Sequence, residues 1–151
     1  MTEILIIGYG NTLRGDDGAG QKIAEMVSEW GIEEVRSLPV HQLTPELADP
    51  ISTAKLAIFV DAYPDADSQG FQVRRLEGEG SGGIGSTTHN CDPRSLLQMA
   101  KFLYGSAPPA WWLLIPAVNF DFGEEFSAIT QQGVAEALSK IKELIKLGNG
   151  E

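Results

Sequence analysis

The sequence predicts an α/β fold: a three-layer sandwich around a mostly parallel, five-stranded twisted sheet, with one antiparallel edge strand and helices on both faces. Three observations predict it. Apolar runs such as Ile4-Leu5-Ile6-Ile7 and Leu56-Ala57-Ile58-Phe59-Val60 show no polar alternation, the pattern of strands buried on both faces. Segments with apolar residues at helical spacing lie between such runs. A glycine-rich loop, Gly8 to Gly20, follows the first run and opens the first helix. With 151 residues and neither a repeat nor a linker, the chain reads as one domain over 1–151.

The elements follow in order. After the first strand, Ala19, Ile23, Met26, Val27 and Trp30 form one helical face, which Gly31 ends. Val35 to Val40 reads as a second strand. Thr44-Pro45-Glu46 is a helix start, with Thr44 as N-cap and Pro45 at the first helical position; the helix should be short and end near Pro50. Leu56 to Val60 is a third strand, closing on Asp61, and Phe71 to Leu76 a fourth. The polar connection between them holds Pro64, Asp65, Asp67 and Gly70 and is too short for a crossover helix, so the fourth strand should run antiparallel at an edge. Glu77 to Thr88 has five glycines and two serines in twelve residues, which reads as a flexible loop. Asp92-Pro93 starts a helix striped by Leu96, Leu97, Ala100, Leu103 and Tyr104 and ended by Gly105. Trp111 to Val118 is a fifth strand, its tryptophans core residues on alternate faces. The last helix spans about Ser127 to Leu147, with Val134, Leu138, Ile141 and Ile145 on one face.

Composition narrows function by exclusion. A net charge of −10 argues against nucleic acid and anionic membranes, both of which need clustered Lys and Arg. The single cysteine, Cys91, rules out a disulfide within the chain and suits a reducing compartment. The longest apolar run, Ala110 to Val118, is too short to cross a bilayer, and the first residues lead directly into a strand. The expectation is a cytoplasmic protein.

The glycine loop places Asp16 and Asp17 where a phosphate would otherwise sit. Leu13 occupies the third position of a dinucleotide fingerprint, and no Lys-Ser/Thr follows the glycines as in a P-loop. Two carboxylates repel phosphate and attract a cation. Asp16 and Asp17 can also be read as a helix cap and a dipole partner, with no chemistry at all. Asp61, at a strand end, is either a turn former ahead of Pro64 or a site carboxylate. His89, beside the Asp92 helix start, should keep a neutral ring able to bind metal. Asp17, Asp61 and His89 together suit a divalent first-row metal. Cys91 lies two residues from His89, but no third group orients such a pair, and His41 reads as structural.

Gly8-Tyr9-Gly10-Asn11-Thr12-Leu13 with Asp16-Asp17-Gly18, then Asp61-Ala62, then His89 before Asp92-Pro93, resembles the [NiFe] hydrogenase maturation endopeptidases over nearly the whole chain. His89 to Leu97 and Trp111-Trp112 through Glu124 resemble the branch serving bidirectional, NAD-linked hydrogenases. The resemblance implies an endopeptidase that removes a C-terminal peptide from the nickel-loaded precursor of the hydrogenase large subunit. By position it implies Asp17, Asp61 and His89 as ligands to nickel that the substrate carries, so the isolated protein can be metal-free. Some members have Glu at the position of Asp17, and Asp16 is the neighbouring candidate. The water could be activated by a carboxylate or by the nickel. A non-catalytic metal-binding chaperone for the same subunit is the alternative, and a nucleotide-binding domain the third reading.

Overall fold

The computed structural model describes residues 3–76 and 91–148. The glycine-rich segment 77–88 and His89 lie outside the described residues. The strands are β1 (Ile4–Tyr9), β2 (Val35–Val40), β3 (Leu56–Pro64), β4 (Gln72–Leu76) and β5 (Ala110–Ala117), and the α-helices are α1 (Ala19–Ser28), α2 (Ala48–Thr53), α3 (Pro93–Tyr104) and α4 (Ala128–Gly148).

The five strands form one sheet in the order β2-β1-β3-β5-β4. β1, β2, β3 and β5 are parallel, and β4 pairs antiparallel with β5 at the edge. The short polar β3–β4 connection forces that reversal. Asp65 closes it by accepting hydrogen bonds from the Gln69 and Gly70 N–H groups at 2.7 and 2.8 Å.

Period two along each strand divides the core into two layers. Ile4, Ile6, Ile58, Val60, Leu113 and Ile115 face α1 and α4, meeting Ile23, Val27, Val134, Ala137 and Ile141. Leu5, Ile7, Ala57, Phe59 and Ala110 face α2 and α3, meeting Leu47, Ala48, Ile51, Leu96, Leu97 and Ala100. This is the expected three-layer sandwich. Trp111 and Trp112 divide between the layers as expected, both half-buried, and Arg75 and Lys140 lie 5.1 and 5.5 Å from the Trp111 ring.

The cap of α3 is as expected. Asp92 accepts from the Ser95 N–H at 2.9 Å while the Ser95 hydroxyl accepts from the Asp92 N–H at 3.1 Å, a capping box, and Gly105 ends the helix at φ 81°. Several boundaries differ from expectation. β1 runs on through Gly8 and Tyr9, where the glycine loop was expected to begin. The turn begun at Pro45 does not stop near Pro50 but runs on as α2 to Thr53, because Pro50 falls in the first turn of α2, where its missing N–H costs nothing. Thr44 has the extended backbone of a cap but its hydroxyl makes no capping bond. β3 also continues beyond Val60: its pairing with β5 extends to Pro64, whereas its pairing with β1 stops at Val60. No helix among the described residues is long and apolar enough to cross a membrane.

Candidate functional site

The chain leaves β1 for β2 on one side and later returns to place β3 on the other. The C-terminal ends of β1 and β3 therefore form the switch point, where a crevice opens in α/β sheets. Asp17 follows β1 and Asp61 lies on β3, so the topology brings both to this crevice.

A tight turn presents Asp17. Gly10 takes φ 142°, and a Cβ there would lie 2.1 Å from the Asp17 carbonyl oxygen, so only glycine lets the loop fold back this closely. The Asn11 N–H donates to Asp17 Oδ2 at 2.8 Å, and the Gly10 N–H donates to the His41 carbonyl at 3.2 Å. That backbone contact is the structural part played by His41, whose side chain is exposed. Residues Gly15–Gly18 form a 3₁₀ turn that leads into α1 and leaves Asp17 half-buried.

Asp16 faces the other way. It is fully buried, and its carboxylate accepts from the Val118 and Asn119 N–H groups, both at 2.9 Å, from the Ser127 N–H at 2.7 Å and from the Ser127 hydroxyl at 2.8 Å. Burial alone would raise its pKa; the hydrogen bonds from Ser127, Val118 and Asn119 outweigh burial and hold it below the ordinary carboxylate range. The expectation that Asp16 caps the helix it precedes is corrected. α1 has no side-chain cap, and Asp16 instead serves the end of β5 and the start of α4. With its oxygens engaged by four protein donors, it is the carboxylate of the pair that is turned away from a ligand.

Asp61 lies in β3 opposite Leu114 of β5, one residue past the last β1 pairing, so the side toward β1 is open to the loop. Its Oδ1 accepts the Ala62 N–H at 2.8 Å. Burial pushes this carboxyl up to about 7; the charge of Asp17 adds to the rise, while the Ala62 N–H and the Tyr9 hydroxyl oppose it. Tyr9, on the same face of the neighbouring strand, is itself held above its ordinary pKa by burial and by Asp61. The Trp112 indole N–H lies near the Tyr9 hydroxyl but makes no well-formed hydrogen bond among the described residues. Tyr9 escaped the sequence reading, although the period-two alternation of β1 sets it on the Asp61 face.

The charge of Asp17 thus reaches Asp61, whose carboxyl burial pushes up to about 7. Such a pair can hold a cation, or accept and return a proton. Among the described residues no three His, Cys, Asp or Glu side chains are grouped to hold a metal. His89, the third expected ligand, lies outside the described residues. Cys91, two residues later, is half-buried and packs with the core layer that includes Tyr9 and Trp112; burial and then Asp92 push its thiol upward, which disfavours the thiolate a nucleophile needs. A cleft of about 480 Å³ lies on the other flank of the loop, lined by Thr12, Gly18, Lys22, Glu25, Glu124 and Phe126.

No family model and no curated protein sequence matches the chain. Solved structures do. A [NiFe] hydrogenase maturation protease, HycI from Thermococcus kodakarensis KOD1, superposes with a TM-score of 0.73 at 24% identity, over 96% of this chain and 93% of that one. The hydrogenase maturating endopeptidase HybD from E. coli gives 0.70 at 17% identity, over 96% and 93%. A hydrogenase 2 maturation peptidase from Thaumarchaeota archaeon SCGC_AB-539-E09 gives 0.69 at 21%, over 95% and 98%. The two-layered core, the sheet with one antiparallel edge and the carboxylate-bearing crevice are therefore built on the fold of solved hydrogenase maturation proteases.

Proposed function

We propose that this chain is an endopeptidase that removes the C-terminal peptide from the nickel-loaded precursor of a [NiFe] hydrogenase large subunit. One observation carries the reading beyond fold: Asp17 and Asp61, 44 positions apart in the sequence, lie close enough at the switch point of the sheet for the charge of Asp17 to help raise the Asp61 pKa to about 7. A pair poised in that way lacks only a positive charge, which a metal ion borne by the substrate supplies. His89, two residues before the described Cys91 and three before the cap of α3, is the third ligand in this reading.

Asp17, steadied by the Asn11 N–H, and Asp61, steadied by the Ala62 N–H and Tyr9, hold the ion so that the scissile peptide lies beside a carboxylate. An ionised carboxylate beside the ion can take a proton from the attacking water. The segments His89 to Leu97 and Trp111-Trp112 through Glu124 also support the branch that serves bidirectional, NAD-linked hydrogenases as the source of the substrate.

The test uses purified protein mixed with precursor, nickel-loaded or nickel-free, read by mass spectrometry. The proposal expects a shortened product from the loaded precursor alone, lost in Asp17→Ala, Asp61→Ala and His89→Ala variants that stay folded. Stable co-elution with an uncut precursor would instead establish the chaperone reading. Cleavage at the normal rate by Asp61→Ala would reject the site.

A further inference from the structure

We propose that Asp16 is a positioning residue for its neighbour: its buried carboxylate fixes the 3₁₀ turn so that Asp17 is held toward Asp61. The inference rests on the reading of Asp17 as the working carboxylate of the loop.

The contacts divide the two aspartates. Asp17 meets the crevice, whereas Asp16 is fully buried and receives four hydrogen bonds from the β5 end and the α4 start. Backbone bonds fasten the same turn. The Asp16 N–H donates to the Asn119 carbonyl at 2.9 Å, the Gly15 N–H to the Gly123 carbonyl at 2.8 Å, and the Gly123 N–H to the Leu13 carbonyl at 2.8 Å. On its inner side the turn has no slack: a Cβ on Gly18 would lie 2.9 Å from Thr12 Cα. A displacement of Asp16 therefore passes directly to Asp17 and cannot be absorbed inside the loop.

A negative charge is required for this function. Oδ2 receives three of the donors and Oδ1 the Ser127 N–H. An asparagine has one acceptor oxygen and one NH₂ group, so in either orientation an N–H faces another donor. Asp16→Asn is thus nearly isosteric but opposes the clamp, and the turn must shift.

The Asn11 amide reports the outcome, because it donates to Asp17 Oδ2. In the intact chain carrying Asp16→Asn, amide exchange at Asn11 should speed up about tenfold, while the Gly105 amide, bonded to Lys101 at the far end of α3, stays within about twofold. With nickel-loaded precursor, kcat should fall about tenfold and KM should change less than about twofold, the pattern of a misplaced reacting group. If Asp16→Asn fails to fold, Ser127→Ala, which removes one donor to Asp16 along with the hydroxyl's bonds to Thr130, should show the same Asn11 effect at about threefold. Unchanged exchange at Asn11 together with faster exchange at Ser127 would overturn the inference and leave Asp16 as a fastener of α4. A disturbed Asn11 with cleavage at the normal rate would uphold the positioning and remove Asp17 from the proposed site.

Discussion

Gly20→Ala tests the close approach on which the crevice depends. Gly20 lies in the first turn of α1, pressed against the sheet. A Cβ at this position would lie 2.5 Å from the Tyr9 carbonyl oxygen, 2.6 Å from that of Val60 and 2.9 Å from the Tyr9 nitrogen. Ordinary contact begins at 3.4 Å, so the helix must retreat by roughly 0.9 Å, and none of the three obstacles is a side chain that can rotate away. That retreat loosens Ile23, Ala24 and Val27, all buried beneath α1. Overpacking against rigid backbone belongs at the upper end of the usual range, about 3 kcal/mol, which lowers Tm by about 6–12 °C in a chain of this size. Gly31→Ala is the comparison. Nothing lies within 4 Å of its Cβ position, and the only penalty is the left-handed φ of 65°, roughly 1 kcal/mol or about 2–4 °C. Thermal unfolding followed by circular dichroism measures both. A Gly20→Ala midpoint within about 2 °C of the unsubstituted chain, or one above that of Gly31→Ala, would refute the close-approach argument.

Asp61→Asn should change how stability depends on pH. The folded carboxyl holds its proton to about 7 rather than 3.8, so the stability it lends is fully present below 3.8 and is lost as pH rises through 7. Asparagine does not titrate, so in urea unfolding with chelator present the variant should gain about 3 kcal/mol on the unsubstituted chain between pH 5 and pH 8; parallel curves would count against the raised pKa. Thr130→Val should cost about 1–3 kcal/mol in the same assay, because it strands the buried Pro116 carbonyl that Thr130 Oγ1 reaches at 2.8 Å; a neutral change would mean another donor replaces it. Asp65 has the opposite sign to Asp61. Although its burial raises the pKa, the Gly70 and Gln69 N–H groups prevail and hold it below its ordinary value. Its contribution is present above 3.8 and lost as pH falls through the lowered value, so at neutral pH Asp65→Ala should speed amide exchange at Gln69 and Gly70, and exchange equal to the unsubstituted chain would reject that turn closure.

The sheet was legible because its signals are local. Unbroken apolar runs give buried strands, helical spacing gives the crossovers, and the ten-residue span between Asp61 and Gln72 is too short for anything but a reversal. The end of α2 was missed because a proline in a first turn and one that stops a helix look alike until the helix start is known. Asp17 and Asp61 were readable as strand-end carboxylates in an α/β fold. What separates Asp16 from Asp17 was not. Both carry the same side chain in the same loop, and the difference lies in Val118, Asn119 and Ser127, whose approach no spacing rule near residue 16 announces. Tyr9 was hidden for a related reason: a tyrosine ending a buried strand looks like packing until its neighbour on the next strand is identified as acidic.

The Asp16 clamp has a consequence for the order in which the molecule is made. Its donors come 102 to 111 residues after it, so a nascent chain that has already exposed both crevice carboxylates still has a loose first loop. Interactions of such long range form late, after the cost of closing the intervening loop has been met. The first loop therefore takes its final shape only when β5 and the head of α4 have left the ribosome, and half-made chains carry Asp17 without the buried clamp beside it.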